Sequence, residues 1–194
     1  MRWLCLIVLF GCVCVAQERD RKFDRVFGIE LFTYDYDGLA PREIRYSIDT
    51  LDANEIYKRA VFALEFGSAI IVDERLKLVN KKSGKSFLLK GRRERVFCNK
   101  GLFGEVCLDG KYEIYFEFYD GGYLIRPMVF KRAGNLSQSV WIKVPFKGPA
   151  NFYKKDGSLR KQCPDCPKVV ESILNRVGHW TYRFVIGGPI PEQE

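Results

Sequence analysis

The sequence predicts a mainly β (β-rich α+β) fold, an antiparallel sandwich or open barrel with one helix, in the C-terminal region, packed on it. Three observations predict it. Short segments of alternating apolar and polar residues recur along the chain, Asp-Gly and Gly-Gly turn signals separate many of them, and a single later stretch carries helical periodicity.

Residues 26–36 are rich in β-branched and aromatic side chains and stop at the turn dipeptide Asp37-Gly38. Ile44, Tyr46 and Ile48 then alternate with Arg45, Ser47 and Asp49, so one face of this strand is dry. Residues 55–66 carry two patterns at once. Asp52 and Glu55 match a helix-capping pair, whereas Phe62, Leu64 and Phe66 fit a strand, and a strand is expected. Residues 69–79 and 86–89 flank the polar segment 80–85, which reads as a hairpin tip, and residues 96–98 and 105–108 flank another loop.

Asp109-Gly110 reads as a turn into residues 112–119, which show the cleanest period-two pattern. Tyr112, Ile114, Phe116 and Phe118 share one face, opposite Glu113, Tyr115, Glu117 and Tyr119. After Asp120-Gly121-Gly122 comes a strand over 123–131 whose Pro127 cannot donate to a ladder, which places it at an edge or a bulge. Val140, Ile142 and Val144 alternate next, and residues 146–162 form an irregular, Lys-rich connection. The one expected helix opens at Pro167, carries an apolar stripe of Val169, Val170, Ile173, Leu174 and Val177, and closes at Gly178. Trp180, Tyr182, Phe184 and Ile186 then read as a final strand.

Residues 1–16 read as a secretory signal peptide: Arg2 supplies positive charge, residues 4–15 are almost wholly apolar, and Cys14-Val15-Ala16 places small side chains before the cut. That run is shorter than the roughly 18–20 residues a membrane span needs, so residues 17–194 are expected as one secreted domain without a span. Cleavage removes Cys5, Cys12 and Cys14 from a total of seven cysteines. The four that stay, Cys98, Cys107, Cys163 and Cys166, are expected as two disulfides in an oxidising compartment.

Cys98 and Cys107 enclose residues 99–106, where Gly101 and Gly104 can take positive φ, and a bridge clipping this loop is the preferred pairing. Cys163-Pro164-Asp165-Cys166 stands directly before the helix, a position whose dipole favours a thiolate and hence thiol exchange. A structural bridge, local or to Cys98 or Cys107, explains it with less assumption. A zinc site using all four sulfurs conflicts with export and with the spacing of paired knuckles.

Other motifs carry little. Gly84-Lys85-Ser86 lacks the earlier glycine of a phosphate-binding loop, a place held by Val79. His179 is the one histidine, which excludes multi-histidine metal centres, and no Gly-x-Ser-x-Gly elbow accompanies it. Asp35 and Asp37 read as a solvated turn. No catalytic residue, metal or cofactor is therefore expected. Asn135-Leu136-Ser137 is an N-glycosylation sequon.

Charge is the remaining functional signal, with 32 Lys and Arg against 24 Asp and Glu. Lys81, Lys82, Lys85, Lys90, Arg92, Arg93, Arg95 and Lys100 fall in one stretch whose only acid is Glu94. Lys147, Lys154, Lys155, Arg160, Lys161 and Lys168 enrich a second. The expectation is a non-catalytic extracellular binding or matrix protein. Its basic hairpin loops would gather at one end of the fold and meet a polyanion: a sulfated glycan, an anionic lipid or an acidic matrix component. A soluble charged surface explains the same residues. Nucleic acid is not expected as a partner, because of export. The many aromatic residues leave a carrier of small apolar ligands as the alternative, and a secreted enzyme of unrecognised class as a further one.

Overall fold

Antiparallel pairing dominates the computed structural model, which describes residues 30–66, 74–101, 104–161 and 163–187. The leader read over residues 1–16 lies outside them, as do residues 26–29 and 69–73 of two expected strands. The elements run β1 (Thr33–Asp35), β2 (Gly38–Ala40), β3 (Ile44–Ser47), α1 (Ala53–Phe66), β4 (Glu74–Lys82) and β5 (Ser86–Gly101). They continue as β6 (Gly104–Tyr119), β7 (Gly122–Ala133), β8 (Trp141–Lys143) and α2 (Cys166–Val185). The main sheet has the order β3-β7-β6-β5-β4, with β8 also paired to β7, and β1 and β2 form a separate two-stranded sheet. The protein is thus mainly β, with the C-terminal-region helix packed on the sheet.

The period-two pattern of β6 explains which face the helices cover. Tyr112, Ile114, Phe116 and Phe118 are all buried, and the rings of Phe116 and Phe118 meet Phe87 of β5 and Tyr123 of β7. Tyr57 of α1 sits edge-on to Phe87 and Phe118, and Tyr182 of α2 meets Tyr46 of β3. Each large apolar side chain so buried contributes about 1.5–3 kcal/mol. Both helices therefore lie on this face, and the alternate residues of β6 point the other way.

Pro127 sits at the break in register between β6 and β7, where Ile114 pairs with Pro127 but Glu113 pairs with Val129, leaving Met128 as the extra residue. On the other side of β7, β3 covers residues 122–125 and β8 covers 131–133. Pro127 falls between these partners, so its missing N–H costs no ladder bond.

Four expectations are corrected. Residues 55–66 are helical, because the capping signal prevails: the Glu55 N–H donates to Asp52 Oδ1 at 2.8 Å. Ile56, Tyr57, Ala60, Ala63 and Leu64 make the buried stripe, while Phe62 is exposed. The strand expected over 180–186 is the continuation of α2, whose stripe extends through Val177 and Thr181 to Val185. Gly178 is consequently a mid-helix residue. A Cβ there would lie 2.4 Å from Tyr46 Oη and 2.8 Å from Ile125 Cδ1, so glycine serves the approach of helix to sheet.

Asp109-Gly110 is no turn either, for β6 runs unbroken through it. Arg93 pairs with Gly110 and Phe97 with Leu108, so Glu94, Arg95 and Val96 bulge opposite Asp109. Finally, of the described part of the strand expected over 26–36, residues 30–36, only Thr33–Asp35 is a strand, β1. Its approach is held by α2: Asn175 accepts from the Phe32 N–H and donates to the Phe32 carbonyl, both at 2.8 Å, and Glu171 accepts from the Tyr34 N–H.

Candidate functional site

The face of the sheet away from the helices collects basic residues in strict register. Arg75 of β4 pairs with Arg92 of β5, Arg92 with Lys111 of β6, Lys111 with Lys131 of β7, and Lys131 with Lys143 of β8. One cross-strand row is therefore cationic on five neighbouring strands. At about 4.8 Å between strands it spans roughly 19 Å. In the adjacent row Lys77 pairs with Lys90, Lys90 with Glu113, and Glu113 with Val129.

Fixed groups position the inner members of the row. Arg92 donates to Asp109 Oδ2 through Nη2 at 2.8 Å and Nε at 3.2 Å. Asp109 is buried and also accepts from the Arg95 N–H at 3.0 Å and Gln138 Nε2 at 2.8 Å, so one carboxylate closes the β5 bulge and anchors the β7–β8 loop. Gln138 Oε1 in turn accepts from Arg92 Nη2. Lys111 Nζ lies 3.8 Å over the Trp141 ring, a cation–π contact that holds the ammonium above the sheet.

Acids offset part of the charge: Arg75 pairs with Glu94 at 3.2 Å and Lys90 with Glu113 at 3.0 Å. Among the described residues, Lys77, Lys111, Lys131 and Lys143 form no ion pair. Between the two rows lies a depression of about 330 Å³, lined by Lys90, Arg92, Lys111, Glu113, Val129 and Lys131 among others.

Of the basic residues singled out in the sequence, Lys90 and Arg92 belong to this face. Lys81, Lys82 and Lys85 stand at the β4–β5 hairpin, where Lys81 bonds Glu65 of α1, an interaction that raises its pKa. Arg93 is one residue out of phase with the row, Arg95 sits in the bulge at φ 52°, and Lys100 lies near the far end of β5, its side chain outside the described residues. The basic residues expected to gather at one end of the fold instead stand at opposite ends of one long strand, β5. Arg75, Lys77, Lys111, Lys131 and Lys143 complete the face although none stands in a local run of charge. Their signal was a cation alternating with apolar residues on strands that pair.

Two cysteine pairs stand at disulfide distance: Cys98–Cys107, the preferred pairing, between registered partners, and Cys163–Cys166 at the start of α2, where the sequence left the partner open. Cys163 and Cys166 are both buried, Cys166 the more deeply. Glu105 lies close to Cys98 and Cys107, but their bridged sulfurs offer no thiolate to a metal. Asn135 is exposed in the β7–β8 loop, where its side chain accepts from the Ser139 N–H and donates to the Ser139 hydroxyl. His179 lies within α2, not at a helix-to-strand junction. Among the described residues no helix is long and apolar enough to cross a membrane.

The fold and this face define a mainly β protein with helices on one side of an antiparallel sheet and cations on the other. No family model and no curated protein matches the chain. Among solved structures, it is similar to a DUF4468 family protein from Bacteroides ovatus, with a TM-score of 0.48 and 13% identity over 78% of this chain and 88% of that one. It is also similar to a TBP-like protein from Parabacteroides distasonis, with a TM-score of 0.42 and 14% identity over 72% of this chain and 90% of that one.

Proposed function

We propose that this is a non-catalytic, secreted binding protein whose helix-free sheet face takes an extracellular polyanion, of which a sulfated glycan is the best fit. The observation that carries the reading is the row Arg75–Arg92–Lys111–Lys131–Lys143. Like charges placed directly opposite in a sheet destabilise it. At about 5 Å each uncompensated pair costs roughly 0.5–1 kcal/mol in a water-like dielectric, a cost carried by Lys111–Lys131 and Lys131–Lys143, whereas Arg75 and Arg92 are offset by Glu94 and Asp109. A linear polyanion laid along the row turns every one of those repulsions into a shared attraction. Two intramolecular bridges support the secreted setting, and the exposed sequon at Asn135 is proposed as its glycosylation site.

The test compares heparin affinity with plain cation exchange. Lys111→Glu/Lys131→Glu alters the face, and Lys154→Glu/Lys155→Glu makes the same charge change in the connection before α2. The face variant is expected to lose its heparin retention in excess of ion exchange, while the control loses only ion-exchange retention. Equal shifts in both variants would reduce the face to an ordinary charged surface. Tighter binding to duplex DNA than to heparin oligosaccharides of equal charge would overturn the glycan reading.

A further inference from the structure

Resting on that reading, we infer that the depression between the two rows is a subsite for a single anionic sugar unit, a saccharide carrying a sulfate or phosphate ester. Its volume of about 330 Å³ lies at the small end of the range for ligand pockets, enough for one compact unit of a chain. The chemistry of its walls selects more narrowly than positive charge does.

Glu113 stands inside the basic lining. It is a carboxylate in a place where a bare polyanion such as polyphosphate, all acceptor and no donor, meets repulsion. Its Oε1 binds Lys90 Nζ at 3.0 Å, and Oε2 enters no ion pair among the described residues. The group is part-exposed, so that oxygen can accept a hydrogen bond from a hydroxyl. Glu113 follows Lys111 by two residues on β6, which separates the carboxylate from the cationic row by about 7 Å along the strand. A sugar ring with its ester over Lys111 and Lys131 and a hydroxyl directed at Glu113 spans that distance.

Val129 supplies the third element. As the registered partner of Glu113 it gives the depression an apolar wall, suited to the C–H groups of a ring and of no use to a phosphate chain. Cations for an ester, an acceptor for a hydroxyl and an apolar surface for a ring make the donor and acceptor pattern of a substituted saccharide.

The test measures a ratio: affinity for a heparin-derived oligosaccharide over affinity for inorganic polyphosphate of matched charge. It is measured for the full protein and for Glu113→Gln, with Glu113→Ala as a second variant. Substitution also frees Lys90 to attract any anion, and that contribution cancels in the ratio. The expected result is a ratio about tenfold lower, as for loss of one hydrogen bond to a charged group. A sulfated monosaccharide and a sugar phosphate, assayed separately, identify the ester. Binding of either with the same dependence on Glu113 supports the subsite.

An unchanged ratio in both variants overturns the saccharide assignment, since Glu113 would then act only as a repulsive charge. Failure of the polyanion reading itself looks different: Lys111→Glu/Lys131→Glu would then alter the binding of neither ligand.

Discussion

Lys111 of β6 and Lys131 of β7 are directly opposed partners on the helix-free side of the sheet, and Lys131 has Lys143 as its other neighbour. The middle ammonium is thus flanked by like charge on both sides. Lys131→Glu converts two repulsive cross-strand pairs into two attractive ones. The variant is expected to be more stable by about 0.5–1.5 kcal/mol, measured by urea denaturation, while its heparin affinity falls. A substitution that strengthens the fold and weakens binding separates function from architecture. Loss of stability in Lys131→Glu would show that the row is not strained by its own charge.

Gly178 offers a contest between two magnitudes. In an exposed helix, alanine is better than glycine by about 1 kcal/mol. Here the added Cβ meets Tyr46 Oη at 2.4 Å and Ile125 Cδ1 at 2.8 Å, against side chains that are themselves buried. Overpacking of this kind costs about 1–3 kcal/mol. Gly178→Ala is expected to lower the thermal midpoint, and an increase would mean that α2 can withdraw from β3 and β7 without loss.

The same residue shows why parts of the fold were legible in the sequence and parts were not. Tyr112 to Phe118 alternate because one side of β6 is wet, and that alternation survives in any reading of the sequence. Trp180, Tyr182 and Phe184 also alternate, yet belong to a helix, because the buried positions there are Thr181 and Val185, and a buried threonine breaks the apolar pattern. Glycine ends many helices, and only the close approach of Gly178 to Tyr46 reveals that this helix continues. The cationic row was invisible for a related reason. Arg75 and Lys143 are far apart in sequence, and nothing local states that β4 and β8 lie in one sheet. Lys90 and Arg92 were found because they also belong to a local run of charge.

Burial makes two phenols sensitive to alkali. Desolvation raises the pKa of Tyr34 and Tyr123 above the ordinary value near 10. Above pH 10 the unfolded chain has released protons that the folded chain still holds, so the folded state binds more protons and stability falls as pH rises. The slope is up to about 1.4 kcal/mol per pH unit for each phenol. Tyr34 and Tyr123 are expected to add their tyrosinate absorbance only as the chain unfolds. Titration of every tyrosine before any loss of secondary structure would contradict the assignment.

Asp109 joins the architecture of the sheet to the chemistry of its surface, and two substitutions separate those roles. Its carboxylate accepts from the Arg95 N–H in the bulge, from Arg92 in the cationic row and from Gln138 in the β7–β8 loop. Asp109→Ala strands a buried backbone donor and removes the counter-charge of a part-buried guanidinium, a loss of about 2–4 kcal/mol. Heparin affinity is expected to fall with it, because Arg92 loses its orientation. Asp109→Asn keeps the Oδ1 acceptor for the Arg95 N–H but sets an amide NH2 where Oδ2 accepts from Arg92 and Gln138, so it loses the negative charge and those hydrogen bonds together. That variant is expected to lose less stability than Asp109→Ala, about 1–2 kcal/mol, since the bulge N–H stays paired, and to lose heparin affinity to the same extent, since Arg92 is unheld in both. If Asp109→Asn bound heparin more tightly than the natural protein, the added net positive charge would outweigh fixed geometry at Arg92, and the face would be an electrostatic surface more than a shaped site.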